Sequence, residues 1–218
     1  MSDPRAVSHK ESHRHLAALA ASLAAAIVLW YFVFDFPRGI FWAKMAVATP
    51  LLAAVSLTQI LPRRQGFRAL RPRHLLIGIG SAAFLYGIFY AGNILLRILL
   101  PGSSHMVASV YATGGGLPQW VVALLLLFVT SPAEEIYWHR FVQRTLGERY
   151  GRLPAFFATA GLYTLVHVVT LNPALIIAAF VAGVTWGFLF YREGSIAPTV
   201  ISHALWATTI FVLLPVGT

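Results

Sequence analysis

The chain contains no cysteine. That excludes disulfides, thiolate-ligated zinc and iron–sulfur clusters. Charge is also scarce: 11% of the 218 residues are charged, where a soluble domain carries about a quarter. Acidic residues are fewest, seven Asp and Glu against sixteen Lys and Arg. So few charges cannot cover a water-facing surface. Hydrophobic residues reach 58%, and mean hydropathy is +0.74. The composition describes a chain that faces lipid.

A spanning helix needs about 20 mostly apolar residues. Seven stretches qualify, at about 16–34, 40–61, 74–100, 117–146, 153–171, 173–191 and 196–215. Breakers separate them: Pro37-Arg38-Gly39, Pro62, Pro72, Pro101-Gly102, Gly114-Gly115-Gly116, Gly151, Asn172-Pro173 and Gly194. The first stretch is too long for a signal peptide's apolar region. It ends in Trp30, Tyr31, Phe32 and Phe34, where cleavage wants small residues. It reads as an uncleaved span after a tail that carries His9, His13 and His15 at headgroup level. The expected fold is an all-α polytopic transmembrane helix bundle of about seven spans. It forms one membrane domain over 1–218: a tail (1–15), generic N-terminal spans (16–116) and catalytic-like helices (117–215).

Basic residues orient this arrangement, because cytoplasmic loops collect Lys and Arg. With the N-terminus cytoplasmic, the inner segments hold Arg5, Lys10 and Arg14, then Arg63, Arg64, Arg68, Arg71 and Arg73. Further along they hold Arg140, Arg144, Arg149 and Arg152, then Arg192. Thirteen of the sixteen basic residues are thus inside; the outer loops hold Arg38, and Lys44 and Arg97 fall within spans. This alternation makes the net charge of +9 a topology signal in contact with anionic headgroups, not a nucleic-acid site. Ala179, Gly183 and Gly187, four residues apart, predict a face on which the sixth span packs closely against a neighbour.

Ionisable side chains inside a span are costly and point to function. Glu134 and Glu135 lie side by side in the fourth span, after Pro132. Neighbours on a helix point about 100° apart, so the two carboxylates face different partners. Glu135 and His139 are i, i+4 and can touch. In the simplest structural reading, a glutamate pairs with Arg140 or Arg144. His167 in the fifth span and His203 in the seventh are each, taken alone, more often packing residues. Together with the glutamates, three helices bring ionisable groups to lipid depth, and the nearest partners are each other. Such a set can bind a divalent metal, or a Glu can act as general base on water. At 1.5 Å per residue, Glu134, His167 and His203 lie at unequal distances from their cytoplasmic helix ends. A tilt, a kink at Pro132 or a recessed seventh helix must bring them level.

The order of these residues resembles the CaaX protease and bacteriocin-processing (CPBP, or Abi) family of intramembrane endopeptidases. The family's EExxxR motif is similar to Glu134-Glu135-Ile136-Tyr137-Trp138-His139-Arg140, and its FxxxH to Tyr163–His167. Its last motif, HxxxN, is matched at His203, and the similarity covers about residues 118–210. Two positions depart: His139 stands where the motif has Arg, with Arg140 one residue later, and Ala207 stands where it has Asn. The resemblance implies a protease in which Glu134 activates water with His167 as partner. Glu135 structures the site, and His203 stabilises the oxyanion or ligates a metal. His139, Arg140 and Tyr163 are supporting residues. The expected cofactor is none or a divalent metal, zinc first, with Glu134, His139, His167 and His203 as candidate ligands. Partners are the lipid bilayer and a membrane-associated or lipidated peptide or protein substrate, with no nucleic acid. The location is an integral membrane one, a bacterial inner membrane by resemblance. A non-proteolytic scaffold or bacteriocin-immunity protein of the same fold is the alternative. A proton-coupled transporter is less favoured, since no internal repeat is present.

Overall fold

A computed structural model describes residues 4–35, 38–60, 70–100 and 102–217. The side chains of residues 4–15 and 60 lie outside that description. So do Arg63, Arg64, Arg68, Pro37, Pro62 and Pro101, and the tail side chains of Arg5, His9, Lys10, His13, Arg14 and His15.

The bundle is all-helical among the described residues. In chain order it comprises α1 (Pro4–Phe34), α2 (Phe41–Ile60), α3 (Pro72–Leu99), α4 (Ser104–Ala112), α5 (Gln119–Tyr150), α6 (Arg152–His167), α7 (Pro173–Glu193) and α8 (Ala197–Leu213). Among the described residues six helices are long and apolar enough to cross a membrane, and α8 is a shorter apolar helix. The chain is therefore an integral membrane protein with the polytopic fold its composition predicts. Leu76, Phe84, Ile98, Trp120 and Phe128 are all more than two-thirds exposed on the bundle surface, where lipid replaces water as solvent.

The ends follow local chemistry. Pro72 and Pro173 open α3 and α7, where a missing N–H costs nothing. The Asn172 side chain caps α7 by accepting from Ala174 and Leu175 N–H at 3.0 and 3.2 Å. Gly151 (φ 91) and Gly194 (φ 60) turn the chain in a backbone region that favours glycine. Three features differ from the sequence expectation. Helix α1 extends back to Pro4, because no breaker stands between that residue and Phe34. The segment between the third and fourth spans holds a helix, α4. Helix α5 runs on to Tyr150, until Gly151 stops it.

Close packing uses the small residues. A Cβ at Gly183 would stand 3.0 Å from the Tyr163 ring, and one at Gly187 3.1 Å from Phe156, so α6 and α7 meet along the predicted face. A Cβ at Gly78 would meet Ile201 at 2.7 Å, which draws α3 against α8. Trp30, Trp138, Trp186, Tyr137 and Phe141 fill the centre, each no more than 2% exposed. Trp30 meets Trp138 edge to face at 6.2 Å, and Trp138 meets Tyr163 in the same way at 5.3 Å.

Candidate active site

Helix α5 is regular over Ser131–Glu135 but widens into π turns on either side, at Leu126–Thr130 and Ile136–Gln143. Pro132 sits in the regular turn between them. Such widened turns recur at functional sites because they re-aim side chains without ending the helix. Here they bracket the two glutamates, which are 6% and 1% exposed.

The glutamates diverge as their 100° separation predicts. Glu135 is held by two imidazoles: its Oε2 lies 2.6 Å from His139 Nδ1 and its Oε1 lies 2.8 Å from His203 Nδ1. Both oxygens therefore accept, and both histidines present Nδ1–H to a single carboxylate. His139 thus occupies on Glu135 the place that the simplest reading gave to an arginine. Arg144 instead pairs with Glu148 at 3.0 Å, and Arg140 is buried at 5% exposure. The Trp186 ring stacks on His203, with centroids 3.7 Å apart and planes 16° from parallel. Trp186 is itself tied by its indole N–H to Ser202 Oγ at 3.2 Å, and Ser202 to Ser81 of α3 at 3.1 Å.

Glu134 faces the other way, and the Tyr163 hydroxyl donates to its Oε2 at 3.2 Å. One turn along α6, His167 Nδ1 lies 2.7 Å from the Tyr163 carbonyl, and the Trp30 indole N–H donates to Nε2 at 3.2 Å. An indole nitrogen can only donate, so Nε2 is the acceptor and Nδ1 carries the proton. The tautomer of His167 is therefore set from two sides. Glu134, Tyr163, His167 and His203 line one cavity of about 100 Å³, closed by Phe34, Trp42, Trp186 and Ala207 among others. That volume holds several waters.

The unequal depths are reconciled by α8. His203 is six residues into its helix, about 9 Å, whereas Glu135 stands fifteen residues before the end of α5, about 22 Å. The 2.8 Å bond between them requires that α8 begin recessed from the end of α5.

A zinc ion needs three or four N, O or S donors at about 2.0–2.3 Å from one point. Among the described residues no three His, Asp or Glu side chains are so arranged. His139 is turned onto Glu135, and the lone-pair edge of His167 is engaged by Trp30. As placed, this donor set does not fit a zinc site.

Residues 116–209 match the family model described as Rce1-like, type II CAAX prenyl endopeptidase. Over this segment, less than half of its length, the chain is similar to the Rce1-like family. The match spans every motif residue of the site, from Glu134 to Ala207, and supports intramembrane endopeptidase activity in general. No curated protein and no solved structure matches the chain. Trp30, Phe34, Trp42 and Met45 lie outside the matched Rce1-like segment, yet all but Trp30 line the cavity and Trp30 bonds His167. Sequence reasoning missed Trp30, because a tryptophan near a span's end reads as an interfacial anchor.

Proposed function

We propose that the protein is a glutamate-type intramembrane endopeptidase that cleaves membrane-associated peptides with activated water. The observation that carries this reading is the convergence of Glu134, His167 and His203 on one cavity of about 100 Å³. Tyr163 holds one oxygen of Glu134 and leaves the other for water. Glu134 takes a proton from that water as general base, and the hydroxide oxygen bonds to the scissile carbonyl carbon. The resulting oxyanion needs a donor, and Ala207 offers none. His203, its Nδ1 committed to Glu135, has Nε2 for that task as the imidazolium. Collapse breaks the C–N bond, and the proton held by Glu134 passes to the leaving amine. His167 borders the same water with a fixed tautomer. Glu135 and His139 act by positioning His203. No step uses a metal.

The test compares membrane-protein termini by mass spectrometry in cells carrying wild type, Glu134→Gln or a deletion, at matched expression. New termini confined to wild type support the reading and name the substrate. Identical termini in all three, with Glu134→Gln still supporting the wild-type phenotype, refute it in favour of a scaffold.

A further inference from the structure

The cavity sits towards one end of the bundle. Phe34 is the last residue of α1, Phe41 the first of α2 and His167 the last of α6, and all three line it. A second hollow of about 480 Å³ shares Phe34, Val110, Thr113 and Leu175 with it and reaches Asp35, His105 and Asn172. This hollow is the mouth. It opens among the α1–α2 connection, α4 and the α6–α7 turn. Contacts tie these segments into one face: Asn172 Nδ2 donates to the Met106 carbonyl at 2.8 Å, and Trp42 Nε1 to the Gly114 carbonyl at 2.9 Å.

The opposite face gathers the end of α2 and the start of α3 with the α5–α6 and α7–α8 connections. Arg73 of α3 pairs with Glu193 of α7 at 2.8 Å, and Arg152 donates to the Tyr191 carbonyl. Arg71, Arg144, Arg149 and Arg192 stand at the same helix ends, and the sequence between α2 and α3 adds Arg63, Arg64 and Arg68, outside the described residues. The mouth face carries Arg38 in its loops, with Lys44 in the first turn of α2 and Arg97 in the last turn of α3. Such a bias keeps the arginine-rich face in the cytoplasm.

We infer that the cavity is entered from the non-cytoplasmic side. Resting on the endopeptidase reading, the substrate is then a membrane-anchored protein cut in its non-cytoplasmic juxtamembrane segment. The mouth suits a neutral or basic peptide and disfavours an acidic one: its polar lining is Asp35, His105, Ser109, Thr170 and Asn172, with no Lys or Arg among the described residues. It also lies within about a turn of several helix ends, so the segment it admits is the one next to the bilayer.

The absence of cysteine makes single-cysteine labelling direct. His105→Cys reports the mouth, and Glu148→Cys, whose native side chain is 43% exposed, reports the opposite face. Intact cells are treated with a membrane-impermeant maleimide before and after permeabilisation. The expected result is labelling of His105→Cys in intact cells and of Glu148→Cys only after permeabilisation. The reverse pattern, or a mouth cysteine that reacts only after permeabilisation, overturns the inference. Wild-type-dependent termini on the non-cytoplasmic flank of their proteins support the substrate class, and termini on the cytoplasmic flank overturn it. If no termini depend on wild type, the endopeptidase reading falls, while the labelling still decides the side of entry.

Discussion

Replacing Glu135 by Gln keeps the side chain's size and removes half of its acceptor capacity. Each native oxygen accepts from one imidazole Nδ1, at 2.6 and 2.8 Å. A glutamine oxygen can keep one of these bonds. Its NH₂ then faces the other Nδ1, and two donors collide unless that imidazole changes tautomer. Either way one charge-assisted hydrogen bond is lost, worth about 1.5–3 kcal/mol. For a chain of this size that corresponds to a fall in Tm of about 3–12 °C. Glu135→Ala strands both imidazoles and should cost about 3–5 kcal/mol, as breaking a buried pair does. Glu134, held by a single 3.2 Å bond from Tyr163, should cost less in stability when changed to Gln, while its loss stops the reaction. The assay is thermal unfolding in detergent for all three variants, with ¹⁵N-histidine spectra to follow the His139 and His203 tautomers. The reasoning is refuted if Glu135→Gln leaves both Tm and spectra unchanged, or if Glu134→Gln is the more destabilised.

Further outcomes follow from the same geometry. Trp30→Phe removes one neutral hydrogen bond, about 0.5–1.5 kcal/mol, and should lower kcat about 2- to 10-fold while freeing the His167 tautomer in ¹⁵N spectra. The matched control is Trp138→Phe, equally buried and with an N–H that has no hydrogen-bond partner among the described residues. It should leave that tautomer fixed, and equal spectral effects in the two variants would count against the role of Trp30. Gly183→Ala drives a methyl to within 3.0 Å of the Tyr163 ring, so it should cost about 1–3 kcal/mol by overpacking and reduce activity through the Tyr163–Glu134 bond. Adding Tyr163→Phe should produce little further loss of kcat if that route is correct. Glu134→Gln should lose cleavage altogether while keeping native helix content by circular dichroism.

The spans were legible because lipid imposes long, nearly uncharged runs that Pro and Gly punctuate. Helix α4 was not, because its nine residues are too few for a span and lie between Pro101-Gly102 and three glycines. Glu135–His139 could be read from i, i+4 spacing alone. Glu135–His203 joins residues 68 apart, and only the need of each for a partner hinted at it. Pro132 pointed to an irregularity in α5, yet it sits in the regular turn, and nothing in the sequence specified widened turns on either side of it. The closeness of α6 and α7 was written in Gly183 and Gly187, although not which ring Gly183 would admit.

The contribution of α1 and α2 to the cavity bears on how the protein can be taken apart. Phe34, Trp42 and Met45 form part of the cavity wall, and Trp30 holds His167 from behind. A fragment beginning near residue 116 would carry every motif residue and still lack one side of its reaction vessel. The histidine would then face lipid in place of an indole. Grafting the first two helices of a homologue onto the remaining chain would likewise exchange that part of the cavity wall. Swaps of this kind offer a means of redirecting specificity while leaving both glutamates untouched.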